Sequence, residues 1–398
     1  MDLKIIDLTA GISHALDLIS PEVVGHHSRT AEIAATLARQ LGFTGQDISD
    51  LFVAALLHDI GAFSRKARID ALDFETKDIH HAETGWKLLC EVPHMARPAR
   101  LIRLHHTPWE HIPEDVPPDE ALLANVLNLA DRVDVAHLSP DLLPRLNRLA
   151  GTAFAPRVVN TISPDVLELR EKLLSGDNYT WLSRIENRVI PASDVVGFCD
   201  AFSHVIDFRS RFTATHSCGV ATIARELGRL NGMAEDELRT LKLAGLLHDL
   251  GKLAVPSEII EKPGMLTESE FEIMRGHTLV TEKILGSMEG LGDICLWASQ
   301  HHERLDGGGY PHGLSSDDLS EGSRIMAVAD VFTALTEDRP YRPGMDRHAT
   351  MQVLEGMVDS GLLDASIIKL LQQQFVPIND LRVLSQEKAL SRFKALAA

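Results

Sequence analysis

Apolar residues in this chain recur at helical spacing. After His216 they stand at Val220, Ile223, Ala224 and Leu227, offsets of +4, +7, +8 and +11. Those steps place them on one face of an α-helix, with the histidine at its buried edge. After His26 the same offsets hold Thr30, Ile33, Ala34 and Leu37, three of the four apolar. Strand-like alternation is scarce, and Thr267 with Glu270 makes a capping-box pattern ahead of a further apolar run. The patterning predicts an all-α protein.

The two segments belong to a longer repeat. HHSRTAEIAATLARQLG from His26 aligns with HSCGVATIARELGRLNG from His216, and LFVAALLHDIG aligns with LKLAGLLHDLG. HAETGWKLL and HTLVTEKIL follow, then a paired histidine, then LNLADRVDVA and MAVADVFTAL. The intervals agree: 32 residues from His26 to His58 and from His216 to His248, 24 from His81 to His105 and from His277 to His301. SHALDL at 13–18 resembles SHVIDF at 203–208 at the same 190-residue offset, which favours His26 over its neighbour His27 as the partner of His216. Two tandem helical bundles are expected, over 1–150 and 195–398. A partly helical connector is expected over 151–194, in a stretch punctuated by Pro140, Pro144, Pro156, Pro164 and Pro191.

Composition narrows the chemistry. At 398 residues, 44% hydrophobic, the chain can bury a sizeable core, and its length suggests about two to three domains. The net charge of −18 makes a general binder of nucleic-acid polymers or anionic membranes a poor reading. Any positive charge for a phosphate ligand must be local. Cys90, Cys199, Cys218 and Cys295 are scattered with no CxxC, as expected of reduced thiols. The start lacks a signal-peptide pattern, and no apolar run approaches the ~18 residues of a membrane span. A cytoplasmic protein with no membrane partner is expected.

The residues to explain in the later half are His216, His248, Asp249, His277, His301, His302 and Asp330. A lone histidine in an apolar helical stretch is usually a hydrogen-bonded core residue. Five imidazoles and two carboxylates converging need a compensating cation. The set contains no thiolate, which excludes a Cys-type zinc site. Imidazole with carboxylate suits Fe, Mn, Zn or Co, without choosing among them. Seven donors exceed what one ion with an open position needs. They suit two ions roughly 3.5–4 Å apart, an arrangement that serves phosphoester hydrolysis.

HDLGK at 248–252, GKLAVPSEIIEKPGMLTESE at 251–270, HHERLDGGGYPHGL at 301–314 and ADVFTALTEDRPYRP at 329–343 together resemble the HD-GYP family, a branch of the HD-domain metal phosphohydrolases. The resemblance covers roughly 200–375. It implies an HD-type bundle that hydrolyses cyclic dinucleotides, chiefly cyclic di-GMP, to linear pGpG and GMP with a metal-bridged hydroxide as nucleophile. It further implies one metal on His216, His248 and Asp330, another on His277, His301 and His302, and Asp249 bridging. Lys252 would contact the scissile phosphate or the nucleophile. Gly307, Gly308 and Gly309 allow close backbone approach, Tyr310 offers a ring and a hydroxyl to a ligand, and Arg339 and Arg342 could hold phosphate oxygens as planar forks. Other readings are a hydrolase for another nucleotide, such as cyclic GMP–AMP or an alarmone, and a cyclic-dinucleotide receptor or scaffold with negligible turnover.

Two departures stand out. Phe212 occupies the place of a Glu that some members associate with a third metal, so two ions are expected. Thr333 stands where many members have an Asp three residues after the last ligand.

The earlier half repeats the donors as His26, His58, Asp59, His81, His105, His106 and Asp131, with Ala62 in place of the lysine and HHTPWEHIPEDVPP in place of HHERLDGGGYP. It resembles the broader HD superfamily. Three readings stay open for it: a metal-bound regulatory domain, a second phosphohydrolase, and a structural relic. It would modulate the later half or mediate association, with a homodimer compatible.

Overall fold

The computed structural model describes residues 3–19, 24–62, 80–136, 141–175, 185–208, 215–262, 264–338 and 343–397. Among them the regular structure is almost wholly helical, with one two-stranded sheet, Leu3–Lys4 (β1) against Val189–Ile190 (β2), antiparallel with Leu3 opposite Ile190. It divides into two compact units, Met1–Asp194 and Val195–Ala398.

In the first unit, α1 (Ile5–Asp17), α2 (His26–Gln40), α3 (Gly45–Leu57), α4 (His80–Leu89), α5 (Ala96–Leu104) and α6 (Pro118–Val135) form the bundle. The α2 helix packs against both α3 and α6. Ile33, Ala34 and Leu37 on α2 are fully buried, as their spacing requires. Each large side chain so buried contributes roughly 1.5–3 kcal/mol. Shorter helices follow, α7 (Leu142–Arg148), α8 (Pro156–Val159) and α9 (Pro164–Leu174). The α9 helix lies on α2, and its Arg170 donates to the carbonyls of Asp134 and Ala136 at the end of α6. Residues 151–175 and the β2 strand thus pack within the first unit.

The second unit holds α10 (Ala192–Phe208, which begins just before it), α11 (His216–Leu230), α12 (Glu235–Leu247), a 3₁₀ turn at Leu250–Ala254, α13 (Ser257–Ile260), α14 (Glu268–Gly286), α15 (Gly292–Ser299) and α16 (Glu321–Thr336). Then come α17 (Arg347–Asp359), α18 (Ala365–Gln373) and α19 (Phe375–Ala397). The α11 helix is central, packed on α12, α16 and α19. At the start of α14 the Thr267 hydroxyl accepts from the Glu270 N–H, and the Glu270 carboxylate accepts from the Thr267 N–H at 2.7 Å. That is the capping box the sequence pattern predicts.

One glycine in each repeat positions the site. A Cβ on Gly251 would lie 1.9 Å from the His277 carbonyl oxygen, and one on Gly61 would lie 2.1 Å from that of His81. Only glycine lets the segment after each His-Asp pair lie against the helix that carries the next histidine.

Candidate metal centres

The second unit brings its seven predicted donors into one cluster. His216 opens α11, His248 and Asp249 follow the last turn of α12, and His277 is in α14. His301 and His302 follow α15, and Asp330 is in α16. Asp249 is central: its Oδ2 is 3.3 Å from His248 Nε2, and its Oδ1 is 3.5 Å from His277 Nε2 and 3.9 Å from His301 Nε2. Asp330 Oδ1 meets His216 Nε2 at 3.1 Å and His248 Nε2 at 3.9 Å, while its Oδ2 lies 3.7 Å from His302 Nδ1.

Helix ends aim the rings. The Nδ1–H of His248 donates to Gly245 O at 2.8 Å, that of His277 to Met274 O at 2.6 Å, and that of His301 to Ala298 O at 2.6 Å. Each bond uses the carbonyl three residues earlier, two of them the orphan carbonyls of a helix C-terminus. Each leaves Nε2 as the unprotonated nitrogen of the neutral ring, available to a ligand. For His216 the acceptor is the buried Glu337 carboxylate, 3.1 Å from Nδ1. Glu337 also accepts from Gln386 of α19.

Thr333 stands where an acid is expected, and the acid that meets His216 is instead Glu337, which the sequence pattern does not single out. In the first unit Asp134, three residues after Asp131, accepts from His26 Nδ1 at 2.7 Å. In the second, Thr333 turns its hydroxyl back to Ala329 O, and Glu337, one helical turn further on, holds His216. A buried acid at i+7 in place of i+3 was the available signal.

Among the clustered atoms, His248 Nε2 and Asp249 Oδ1 are buried without a hydrogen-bond partner. Orphaned polar atoms of this kind are costly unless a cation takes them up. The electrostatics agree. Burial, helped by the Lys252 charge and by His302 and opposed by Asp249, pushes His277 down to about 3, and burial is the main force taking His302 to about 4, leaving neutral imidazoles. Burial opposes ionisation of Asp249, yet His248 and Lys252 beside it hold its carboxyl well below the usual range. Neutral imidazoles at His277, His301 and His302 beside ionised carboxylates are the protonation states that metal binding needs, whereas at His216 the Glu337 and Asp330 carboxylates outweigh burial and hold the ring well above the usual histidine range, so that metal binding there displaces a proton. His277, His301 and His302 form one candidate ligand group and His216, His248 and Asp249 another, and the donor set fits divalent transition metals.

Three groups give this cluster an open side. Side chains of His302, Lys252 and Asp330 are 29%, 22% and 11% exposed. Lys252 Nζ donates to Asp249 Oδ2 at 2.6 Å. The Tyr310 ring packs on His302 at 4.8 Å between centroids, with the Arg275 guanidinium over its face. The loop holding Tyr310 is fixed by Glu303, whose buried carboxylate accepts from the N–H groups of His312 at 2.7 Å and Leu314 at 3.0 Å. A Cβ on Gly309 would come within 2.4 Å of Arg304 N and 2.5 Å of Glu303 Cα, so close approach is needed there. Gly307 adopts φ +78°, and Gly308 donates its N–H to Asp306. Arg339, Arg342 and Phe212 lie outside the described residues.

The first unit gathers its donors as tightly. Asp59 Oδ1 is 3.3 Å from His81 Nε2, and its Oδ2 is 3.6 Å from His58 Nε2. Asp131 Oδ1 is 3.3 Å from His26 Nε2 and 3.8 Å from His58 Nε2. His58 and His105 donate from Nδ1 to the carbonyls of Ala55 and Ile102. Candidate ligand groups include Asp59 with His81, His105 and His106, and His26 with His58 and Asp59. His27 is buried too, held by Asp17 at 2.8 Å, and its Nε2 stands 3.9 Å from Asp59, further than His58 or His81. Where the second unit has the Tyr310 loop, the first has a short turn at Trp109–His111 pinned by bonds from Trp109 and Glu110 N–H to Ala153 O and Thr152 O.

Comparison with known proteins agrees with this architecture. HD-domain families match residues 23–136 and 200–367. A 3'3'-cGAMP-specific phosphodiesterase of Vibrio cholerae is 31% identical over 392 residues, covering 89% of this chain and 88% of the relative. A cyclic di-GMP phosphodiesterase of Pseudomonas aeruginosa is 35% identical over 220 residues, covering 54% of this chain and 46% of that protein. Among solved structures, a cyclic GMP-AMP specific phosphodiesterase of V. cholerae matches with a TM-score of 0.63 at 23% identity, over 94% of this chain and 98% of the other, a likeness of fold. No helix among the described residues is long and apolar enough to cross a membrane.

Proposed function

We propose that this chain, which belongs to the HD-domain cyclic-dinucleotide phosphodiesterases of the HD-GYP type, hydrolyses 3'3'-cyclic GMP–AMP at the site in its second unit. The carrying observation is the likeness to cGAMP-specific relatives along nearly the whole chain, both repeats included. Cyclic di-GMP is the second reading, favoured by the likeness of 54% and 38% of the chain to two cyclic di-GMP phosphodiesterases.

Two divalent ions would be held there, one by His216, His248 and Asp330, the other by His277, His301 and His302, with Asp249 between. Such a pair, when bound, lowers the pKa of coordinated water toward about 7 and offsets the charge of a phosphodiester. The protein's own groups do the rest. The carbonyl and Glu337 acceptors hold the Nδ1 protons of His216, His248, His277 and His301 away from the cluster, so that their Nε2 atoms stay free to ligate. Lys252, part-exposed beside Asp249, offers an ammonium to a phosphate oxygen of the bound dinucleotide. Tyr310, braced by His302 and Arg275, offers a face on which a base can stack. Asp306, Gly307 and Gly308 keep the loop short and rigid on the open side.

The test is incubation of manganese-loaded protein with 3'3'-cyclic GMP–AMP, cyclic di-GMP and a linear dinucleotide, with products resolved chromatographically. Ring opening of 3'3'-cyclic GMP–AMP at least ~10-fold faster, by kcat/KM, than that of cyclic di-GMP is expected. The reverse order would establish the second reading, and no cleavage of either cyclic substrate would overturn both.

A further inference from the structure

The first unit differs from the second by a buried guanidinium inside the cluster. Arg132 directly follows Asp131 on α6, and its side chain is 3% exposed. Its Nη2 donates to Asp131 Oδ2 at 2.8 Å and lies 3.1 Å from His106 Nδ1 and 3.4 Å from His106 Nε2, the Nδ1 contact being the shorter. In the second unit the residue after Asp330 is Val331, and Asp330 Oδ2 faces His302 Nδ1 across 3.7 Å.

The shorter of the two contacts assigns His106 Nδ1 as the acceptor. A guanidinium only donates, so the His106 nitrogen it meets must accept. A neutral His106 then carries its proton on Nε2, which faces His81 Nε2 at 3.0 Å. That proton occupies the atom which would otherwise ligate an ion shared with His81. Asp131 is affected on one side only, because Oδ1 still faces His26 and His58. The guanidinium also sets a permanent positive charge against this half of the cluster. On the other half, His26 Nε2 and His58 Nε2 are buried without a hydrogen-bond partner, and so is His105 Nε2 between the two halves.

We infer that Arg132 stands in for one of the two cations in the first unit, so that this site holds a single divalent ion, on His26, His58, Asp59 and Asp131. The closed ion would then hold α2, α3 and α6 together, whereas the second unit keeps an open pair. The inference rests on the reading of the His/Asp sets as metal ligands and is independent of which dinucleotide is cleaved.

The experiment uses the full-length chain with the second unit's ligands removed (His248→Ala, Asp249→Ala, His277→Ala and His301→Ala together). The protein is loaded with Mn²⁺, desalted, and its metal content and electron paramagnetic resonance spectrum are recorded. The expected content is about one ion per chain with the signal of an isolated Mn²⁺. Adding Arg132→Val, the residue of the second unit at this place, should raise the content to about two and produce an exchange-coupled signal. Two ions with Arg132 in place, or none, would overturn the inference. So would a count that stays at one in a folded Arg132→Val chain. Arg132→Met keeps the side-chain volume if valine impairs folding, and the count with Arg132 in place decides even if neither variant folds. Loss of two ions on going from wild type to the second-unit variant is a separate readout of the two-ion reading of that unit.

Discussion

Asp131 in the first unit is 3% exposed and shares its outer oxygen with Arg132, whereas Asp330 in the second is 11% exposed and turns that oxygen toward the part-exposed His302. Both units have a cation in contact with a cluster carboxylate, but at different carboxylates: Arg132 on Asp131 in the first, Lys252 on Asp249 in the second. Both aim their histidines by bonds to carbonyls three residues earlier. The same ligand list therefore does not imply the same chemistry. What differs between the two is the charge already resident at the outer carboxylate oxygen, a guanidinium on Asp131 and a part-exposed imidazole facing Asp330.

The comparison can be broken most directly at the central carboxylates. Asp249→Ala should reduce cyclic-dinucleotide hydrolysis below detection, while Asp59→Ala should leave kcat within about threefold and act on stability, through the loss of a ligand-bound state. Equal loss of turnover from both would mean that the first site takes part in the reaction. Next in size is Glu337→Gln. A neutral amide at His216 should weaken metal affinity of the second unit by about 10–100-fold, measured by chelator competition, with recovery of turnover at high metal concentration.

The loop residues sharpen the contrast further. Gly309→Ala puts a Cβ into the backbone of Glu303 and Arg304. It should lower kcat/KM by about 10-fold or more with metal content unchanged. Tyr310→Ala should raise KM by about 5–150-fold, the worth of one base–aromatic stack of ~1–3 kcal/mol. The smallest effect is expected at Thr267→Ala, which removes the cap of α14 at a cost of about 1 kcal/mol. Its melting temperature should fall by a few degrees with substrate specificity unchanged.

Much of this was legible before any coordinates. Val220, Ile223, Ala224 and Leu227 reveal α11 because burial on one face imposes a 3.6-residue period, and all four are buried. The ligand histidines are legible because a repeated interval between chemically demanding residues constrains two folds at once. Glu337 was not, because an acid one turn further along a helix reaches the same ring, and sequence spacing alone does not tell which of two turns faces it. Arg132 was hidden for a different reason: an arginine beside an aspartate reads as an ordinary surface pair until its burial is known. Gly61 and Gly251 stood in plain view within HDIG and HDLG, yet their purpose depends on His81 and His277, 20 and 26 residues away in sequence.

The central claim, that the second unit's His/Asp set is the hydrolytic metal centre, is tested most directly by one measurement. Wild type and His248→Ala/Asp249→Ala would be loaded with Mn²⁺ and followed through a single turnover of 3'3'-cyclic GMP–AMP, with the metal bound to each determined on the same sample. The account predicts ring opening in wild type and none in the variant, together with loss of the second unit's ions. Ring opening at the wild-type rate by the folded variant would contradict it.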